Sequence, residues 1–327
     1  MESKKINIAV LGCAAIAERS VIPALLDLPA HYSLVAIASR NTDKANEFAR
    51  RFNTKAYTGY QQAIDDKTID AVYIPLPNSL HFEWVQKSLK AGKHVLVEKS
   101  LACTYNEALE LNKLAREGNL ALVENFQFRF HSQLAYIKDL LQNGTIGEIR
   151  CIRSSFGFPG LPTESDIRYQ KVLGGGALLD AGAYPIKIAQ IFMGNDIEVK
   201  AANLNSIEAK EVDIWGGAYL KQTKGNLFAE IAFGFQHFYQ CNIEIWGSQG
   251  KLYSNRIFTA GNNVKPEIEI ETNQGKQIIK LDEDKHFNNM LVYFSNVINA
   301  DSLKEQEYND NINQARLINE IIIKSNE

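Results

Sequence analysis

The chain is short of the features that would place it at a glance. Its four cysteines, Cys13, Cys103, Cys151 and Cys241, lie far apart and form no C-x-x-C pair. That argues against a disulfide framework or a thiolate metal site, and free thiols in a reducing cytosol are the simple reading; a cytoplasmic protein is expected. No apolar run approaches the ~20 residues that span a bilayer. The basic start, Lys4-Lys5, runs into Ile6–Leu11 and is cut by Gly12, too soon for a signal peptide. Lysines and arginines do not cluster, and a net charge of −3 gives no electrostatic case for nucleic acid or a membrane surface. His81, His94, His131, His237 and His286 show no ligand spacing, so no metal is expected. Internal repeats and low-complexity segments are absent. What is there is ordinary for a soluble globular protein, 45% hydrophobic and 22% charged, and 327 residues suit two domains.

The first half alternates strand and helix patterns, as expected for a doubly wound parallel sheet, an α/β class. Ile6–Leu11 reads as a buried strand, and helical periodicity follows from Ile16 to Leu28. Between them Gly12-Cys13-Ala14-Ala15-Ile16-Ala17 is a G-x-G-x-x-A dinucleotide fingerprint with Ala14 at its second glycine. In that fingerprint the first glycine makes the tight turn, the second lets backbone approach a pyrophosphate, and the small third position lets helix pack on strand. Gly12, Cys13, Ala14, Ala15 and Ile16 are therefore candidate cofactor contacts. A second strand, Ser33–Ala38, ends at Ser39-Arg40-Asn41 with no Asp or Glu to hold ribose hydroxyls. A hydroxyl and a guanidinium suit a 2′-phosphate, so NADP is expected in preference to NAD. Further strands are read near Ala56-Tyr57, at Asp70–Ile74, His94–Val97 and Leu120–Val123. Helices are read at Thr42–Phe52, from Asn78 or Ser79 as cap to Ala91, and at Tyr105–Glu117. Glu98-Lys99-Ser100 stands at a strand's carboxyl end, where ligands collect in such sheets; a surface ion pair is the other reading of Glu98 and Lys99.

The second half centres on Gly174-Gly175-Gly176, followed by a helical pattern from Ala177 to Phe192. Asp180 and Tyr184 fall one turn apart on one face, and Pro185 should loosen the ladder just beyond. A carboxylate and a phenol beside a glycine hinge look like a ligand-facing site. A helix is expected over Gln133–Leu141 and a strand over Ile149–Phe158. An aperiodic loop follows over Pro159–Leu173, in which Arg168 is either a phosphate or sugar contact or a surface arginine. Successive strands, at Ile197–Ser206, Asp213–Leu220, Leu227–Phe233, Gln240–Trp246, Lys251–Tyr253, Ile268–Glu271 and Gln277–Leu281, predict an antiparallel sheet. Phe228, Phe233, Phe235, Phe238 and Trp246 either fill its core or form a subunit interface. Helices at His286–Asn299 and Asn309–Ile323 close the chain, and Lys324–Glu327 should fray.

Taken in order, Gly12–Ala17, Pro75-Leu76-Pro77-Asn78-Ser79-Leu80-His81, Glu98-Lys99 and Gly174–Pro185 resemble the glucose–fructose oxidoreductase / inositol dehydrogenase / MocA family over nearly the whole chain. The resemblance implies a Rossmann dinucleotide-binding domain, 1–124, and an α+β domain with a large, mostly antiparallel open sheet, 125–327, for substrate binding and oligomerisation. It implies Lys99, Tyr184 and Asp180 as catalytic residues, with Pro75, Leu76, Asn78, His81, Glu98 and Lys99 joining Ser39 and Arg40 at the cofactor. The stretch Glu124–Gln133 and the Tyr184 motif look most like family sugar 3-ketoreductases that act on nucleotide-linked deoxysugars. Phe126, Arg129, His131, Gln133, Arg168 and Tyr184 are then expected at the substrate.

Two departures stand out: Ala14 at the second glycine, and Ser100 where the family usually has proline, which would place Lys99 less tightly. The chemistry implied is reduction of a keto group at C-3 with NADPH, Tyr184 giving the proton while a nearby Lys99 ammonium favours the phenolate. A dehydrogenase of free sugars or dihydrodiols shares the tyrosine motif, and a non-catalytic dinucleotide-binding regulator is the third reading. A homodimer or homotetramer through the C-terminal sheet is expected.

Overall fold

The computed structural model describes residues 5–161, 163, 165–207 and 210–327. Lys4, and positions 162 and 164 of the Pro159–Leu173 loop, lie outside them. The chain divides into two compact units: residues 1–125 with 287–312, and residues 126–286 with 313–327. The expected boundary at 124/125 gave everything beyond it to the second domain. Instead, Phe287–Ile312 returns to the first unit.

The first unit is built on short strands, most of them with apolar centres. β1 (Ile6–Leu11), β2 (Tyr32–Ser39), β3 (Lys55–Thr58), β4 (Ala71–Ile74), β5 (His94–Glu98) and β6 (Leu122–Asn125) form one sheet in the order β3-β2-β1-β4-β5-β6. Every pairing is parallel. Ile8, Ala9, Val10 and Leu11 of β1 and all of β4 are buried, as strands covered by helices on both faces must be. Between the strands run α1 (Ile22–Leu26), α2 (Thr42–Arg51), α3 (Tyr60–Asp65), α4 (Asn78–Lys90) and α5 (Tyr105–Glu117). α1 is preceded by a π-helical turn, Ala17–Val21, so the expected long helix is two short pieces. α5 starts in a capping box in which Thr104 accepts from the Glu107 N–H. α4 has Pro77 at its N-cap and no side-chain cap bond, which corrects the expected Asn78 or Ser79 cap. The strand order reverses between β1 and β4, so their carboxyl ends border the crevice where doubly wound sheets take their ligands.

The second unit holds α6 (Ser132–Gln142), α7 (Ala183–Met193) and an eight-stranded sheet. Its strands are β7 (Ile149–Phe158), β8 (Ile197–Asn205), β9 (Trp215–Gln222), β10 (Phe228–Phe235), β11 (Gln240–Gly247), β12 (Gly250–Asn255), β13 (Glu267–Thr272) and β14 (Gly275–Lys280), in the order β14-β13-β12-β11-β7-β10-β9-β8. Among the described residues of this sheet only β7 and β10 pair in parallel. Alternation along β10 to β13 turns Ile231, Phe233, Ile243, Ile245, Leu252, Ile268 and Ile270 into the core, and α7 packs against β7 and β10.

The opposite face carries, in register, Tyr219, Glu230, Arg153, Glu244, Tyr253 and Glu269. On it Trp246 is partly exposed, with the Arg153 guanidinium 4.0 Å from its ring centroid. Of the aromatics left open between core and interface, Phe233 and Phe235 are core and Phe238 is 88% exposed. Phe228 is half-buried against Tyr219.

The closing helices are α8 (His286–Asn299) and α9 (Asp301–Lys324), the latter longer than its sequence pattern suggested. In the first unit, the Tyr32 hydroxyl donates to the Leu291 carbonyl at 2.6 Å, and Asn311 donates to Asn112 at 3.1 Å. These buried hydrogen bonds explain why 287–312 belongs there.

Candidate active site

In the first unit the residues expected at the cofactor stand at or just beyond the carboxyl ends of β1, β2, β4 and β5. Gly12 has φ +133°, and a Cβ there would stand 2.9 Å from Leu76 Cδ2. Only glycine meets both conditions, so the fingerprint turn and the Pro75-Leu76 loop are packed together. Cys13, Ala14 and Ile16 are half-buried and Ala15 is exposed. At the end of β2 the Ser39 hydroxyl accepts from the Asn41 N–H at 3.2 Å, and Asn41 caps α2. Arg40 is exposed beside Tyr60, whose pKa burial raises and the Arg40 charge lowers. A strand end with a hydroxyl, an exposed guanidinium and no carboxylate in Ser39-Arg40-Asn41 fits a 2′-phosphate.

Glu98 ends β5, and its Oε1 accepts from the Tyr73 hydroxyl at 2.6 Å and from the Asn125 amide at 2.7 Å. The three come from the ends of β4, β5 and β6, and burial raises the Glu98 pKa. After Lys99 the peptide to Ser100 is cis. Contacts on either side hold it: the Ser100 carbonyl lies 2.7 Å from His81 Nδ1, and the Leu101 N–H donates to Glu124 at 2.8 Å. His81 itself is fully buried, with Nε2 2.8 Å from the Leu76 carbonyl. It was expected at the cofactor. Both ring nitrogens are instead occupied by backbone, and burial, helped by the Lys99 charge, pushes its pKa down to about 4.

In the second unit the triple glycine is clamped, not a hinge. Gly174 ends a 3-10 turn at φ +73°. A Cβ on Gly175 would stand 2.5 Å from the Arg168 carbonyl oxygen. Gly176 donates to that carbonyl at 2.9 Å and has φ +115°, and a Cβ there would meet Asp213 Oδ1 at 2.4 Å. The Asp213 carboxylate accepts from the Leu178 N–H at 2.6 Å and its carbonyl accepts from Ala177. Asp213 is thus the cap of the site helix, 35 residues downstream, and no local signal in the sequence marks it. Gly176→Ala is expected to cost about 1–3 kcal/mol, read as a lower urea midpoint, because it strains the backbone and strikes this carboxylate.

The helix is not regular either. Leu178–Gly182 is a π-helical turn and α7 begins only at Ala183. Pro185 has no N–H to give back to the ladder, which suits a widened turn just before it. Asp180 lies inside that turn, and its Oδ2 accepts from Arg168 Nε at 2.9 Å. The Arg168 Nη1 donates to Asp166 at 3.2 Å. Arg168 is therefore bound to the candidate catalytic carboxylate, with its side chain 38% exposed.

Tyr184, 9% exposed, sits among four rings. Phe126 is edge-on at 5.7 Å, Phe156 lies at 5.0 Å, Phe258 at 5.5 Å and Phe128 at 5.8 Å. Phe156, Phe258 and Asp213 were missed from the sequence. Phe126, His131 and Gln133, expected at the substrate, are buried core. His131 Nδ1 accepts from the Gln133 N–H at 3.1 Å as the cap of α6, and Gln133 donates to the Arg256 carbonyl at 3.3 Å. Burial lowers the His131 pKa, and its Nε2 has no hydrogen-bond partner among the described residues. Arg129 lies over the Phe130 ring at 5.2 Å.

A fingerprint turn at the switch point of a doubly wound sheet, and an open-sheet domain that presents a clamped carboxylate and a ring-enclosed phenol, define a two-domain dinucleotide-dependent oxidoreductase. A family model described as an oxidoreductase family with an NAD-binding Rossmann fold matches residues 6–126, and the GFO/IDH/MocA C-terminal domain model matches residues 134–253. The chain belongs to the GFO/IDH/MocA oxidoreductase family.

It is 39% identical over 316 residues to the dTDP-3,4-didehydro-2,6-dideoxy-alpha-D-glucose 3-reductase of Actinomadura kijaniata, covering 97% of this chain and 94% of that protein. The reductase of the same name from Saccharopolyspora spinosa is 43% identical over 82% of this chain and 80% of its own. A crystal structure of a 3-ketoreductase from A. kijaniata with NADP and TDP-benzene superposes with a TM-score of 0.93, at 38% identity and 98% coverage of both chains. Among the described residues no helix is long and apolar enough to cross a membrane, and no group of three His, Cys, Asp or Glu is placed to hold a metal ion.

Proposed function

We propose that this chain is an NADPH-dependent reductase of a keto group, at C-3, on a nucleotide-activated deoxysugar. What supports this is likeness to 3-ketoreductases along 97–98% of the chain, through both domains. Two of those structures are described as lysine variants and one as a tyrosine-to-phenylalanine variant of the A. kijaniata enzyme, each with TDP-benzene and NADP.

NADPH, when bound, supplies the hydride. Tyr184 gives its proton to the carbonyl oxygen as that oxygen gains charge. Lys99 stabilises the phenolate left behind. Asp180, held by Arg168, accepts from a sugar hydroxyl and orients the ring. The four aromatic rings keep water from the phenol, so the proton goes to the substrate.

The reading is tested by titrating the protein with NADPH, NADH and thymidine diphosphate. NADPH preference together with a separate thymidine diphosphate site is expected, and NADPH binding without a nucleotide site would move the assignment to free sugars or diols. Arg40→Ser should weaken NADPH about tenfold or more and leave NADH unchanged, because a charge-assisted contact to the 2′-phosphate is lost. The exposed sheet face around Trp246 and Arg153 is assigned as a self-association surface, and sedimentation of Trp246→Glu should show a smaller species than wild type.

A further inference from the structure

We infer that Asp166 is a positioning residue that sets the Asp180 carboxylate through Arg168. The inference rests on the role given to Asp180 above. One guanidinium is held between two carboxylates: Arg168 Nε donates to Asp180 Oδ2 at 2.9 Å, and Arg168 Nη1 donates to Asp166 Oδ1 at 3.2 Å. The two donors belong to one rigid plane, so holding Nη1 fixes the direction in which Nε meets Asp180. Asp166 is itself anchored. Its Oδ1 also accepts the Arg168 N–H at 3.0 Å, as the cap of the 3-10 turn Ile167–Tyr169, and its carbonyl accepts from Tyr169 at 3.0 Å. The Arg168 carbonyl accepts the Gly176 N–H at 2.9 Å. Asp180 stands in the widened turn Leu178–Gly182, and the arginine braces it from the preceding loop. Asp166 therefore acts on the site at one remove.

Capping and bracing can be separated chemically. As a cap, Asp166 needs only one acceptor oxygen, which asparagine also offers. As the partner of a guanidinium it needs its charge, because a charge-assisted hydrogen bond is roughly twice as strong as a neutral one. Asp166→Asn keeps the turn and weakens the hold on Arg168, and it sets an amide nitrogen where Oδ2 lies 3.4 Å from Nη1.

The experiment measures kcat/KM on a dTDP-keto-deoxysugar, and the NADPH Kd, for wild type, Asp166→Asn and Asp166→Ala, each also combined with Asp180→Asn. Asp166→Asn and Asp166→Ala should each lower kcat/KM by about tenfold through displacement of the Asp180 carboxylate, with the NADPH Kd unchanged. In the Asp180→Asn background the same substitutions should change kcat/KM by less than about twofold, because the charge they act through is gone. A merely structural cap predicts an Asn variant equal to wild type and a deficit only in the Ala variant, and that result overturns the inference. A tenfold loss that persists beside Asp180→Asn overturns it too. If wild type reduces no keto-sugar, the functional reading fails, and nitrogen-15 NMR still decides the inference. An Arg168 Nε–H protected from solvent exchange in wild type and released in Asp166→Asn supports it. Equal protection in the two, or none in wild type, overturns it. The same spectra decide if Asp166→Ala does not fold.

Discussion

Tyr184→Phe is expected to cut keto-sugar reduction by about 10²–10⁴-fold, the usual worth of a positioned general acid, with NADPH affinity unchanged. The substitution removes one oxygen and keeps the ring that packs against Phe126, Phe128, Phe156 and Phe258. The core should hold, and the thermal midpoint should move little. A stopped-flow or steady-state assay with NADPH and a dTDP-keto-deoxysugar reads the rate, and fluorescence titration reads the affinity. Unchanged turnover would remove Tyr184 as the proton donor.

The second large effect is on stability, and it runs with acid. Burial lowers the pKa values of His81, His94 and His286 to about 4 each, from an ordinary 6.5. A folded-state value below the unfolded one means that the unfolded chain takes up the proton first. The stability these neutral rings contribute is complete above pH 6.5 and is lost as pH falls from 6.5 towards 4. For His81 and His286, both nearly inaccessible, the loss is about 3 kcal/mol each, and less for the half-buried His94. Together this approaches the ~5–15 kcal/mol that holds a typical domain. Half-buried Asp213 and Glu98, with raised values, work in the opposite sense and soften the slope. Urea midpoints should therefore fall steeply through this window, and His94→Gln should flatten the fall. A flat profile from pH 6.5 to 4 would contradict the burial of these rings.

The strands of the first domain were legible because β1, β4 and β5 are short apolar runs that only a sheet covered on both faces can bury. Gly12 was legible from the local fingerprint pattern Gly12–Ala17, although the residues that crowd it, Pro75 and Leu76, come from the loop after β4. The environment of the site helix was not. Its cap, Asp213, comes from beyond the helix, Asp180's partner comes from the preceding loop, and the widened turn depends on a ladder that periodicity does not describe. Likeness to relatives pointed to the Phe126–Gln133 stretch but not to which way its side chains face. His131 and Gln133 turn inward because α6 needs a cap and Arg256 needs an acceptor filled. Amphipathic helices such as α8 announce an apolar face without naming the domain that covers it, which is why 287–312 was assigned to the wrong unit. His81 looked like a ligand contact because its motif borders the cofactor. Only the coordinates reveal both nitrogens turned to backbone.

The most direct test of the central claim is to mix the purified protein with NADPH and dTDP-3,4-didehydro-2,6-dideoxyglucose and follow both NADPH absorbance and the sugar product by NMR. The account predicts stoichiometric NADPH consumption with a new hydroxyl-bearing carbon at C-3, and much slower reaction with NADH or with free glucose and xylose. Tight NADPH binding with no consumption on this substrate, or faster oxidation of a free sugar or diol with NADP, would contradict it.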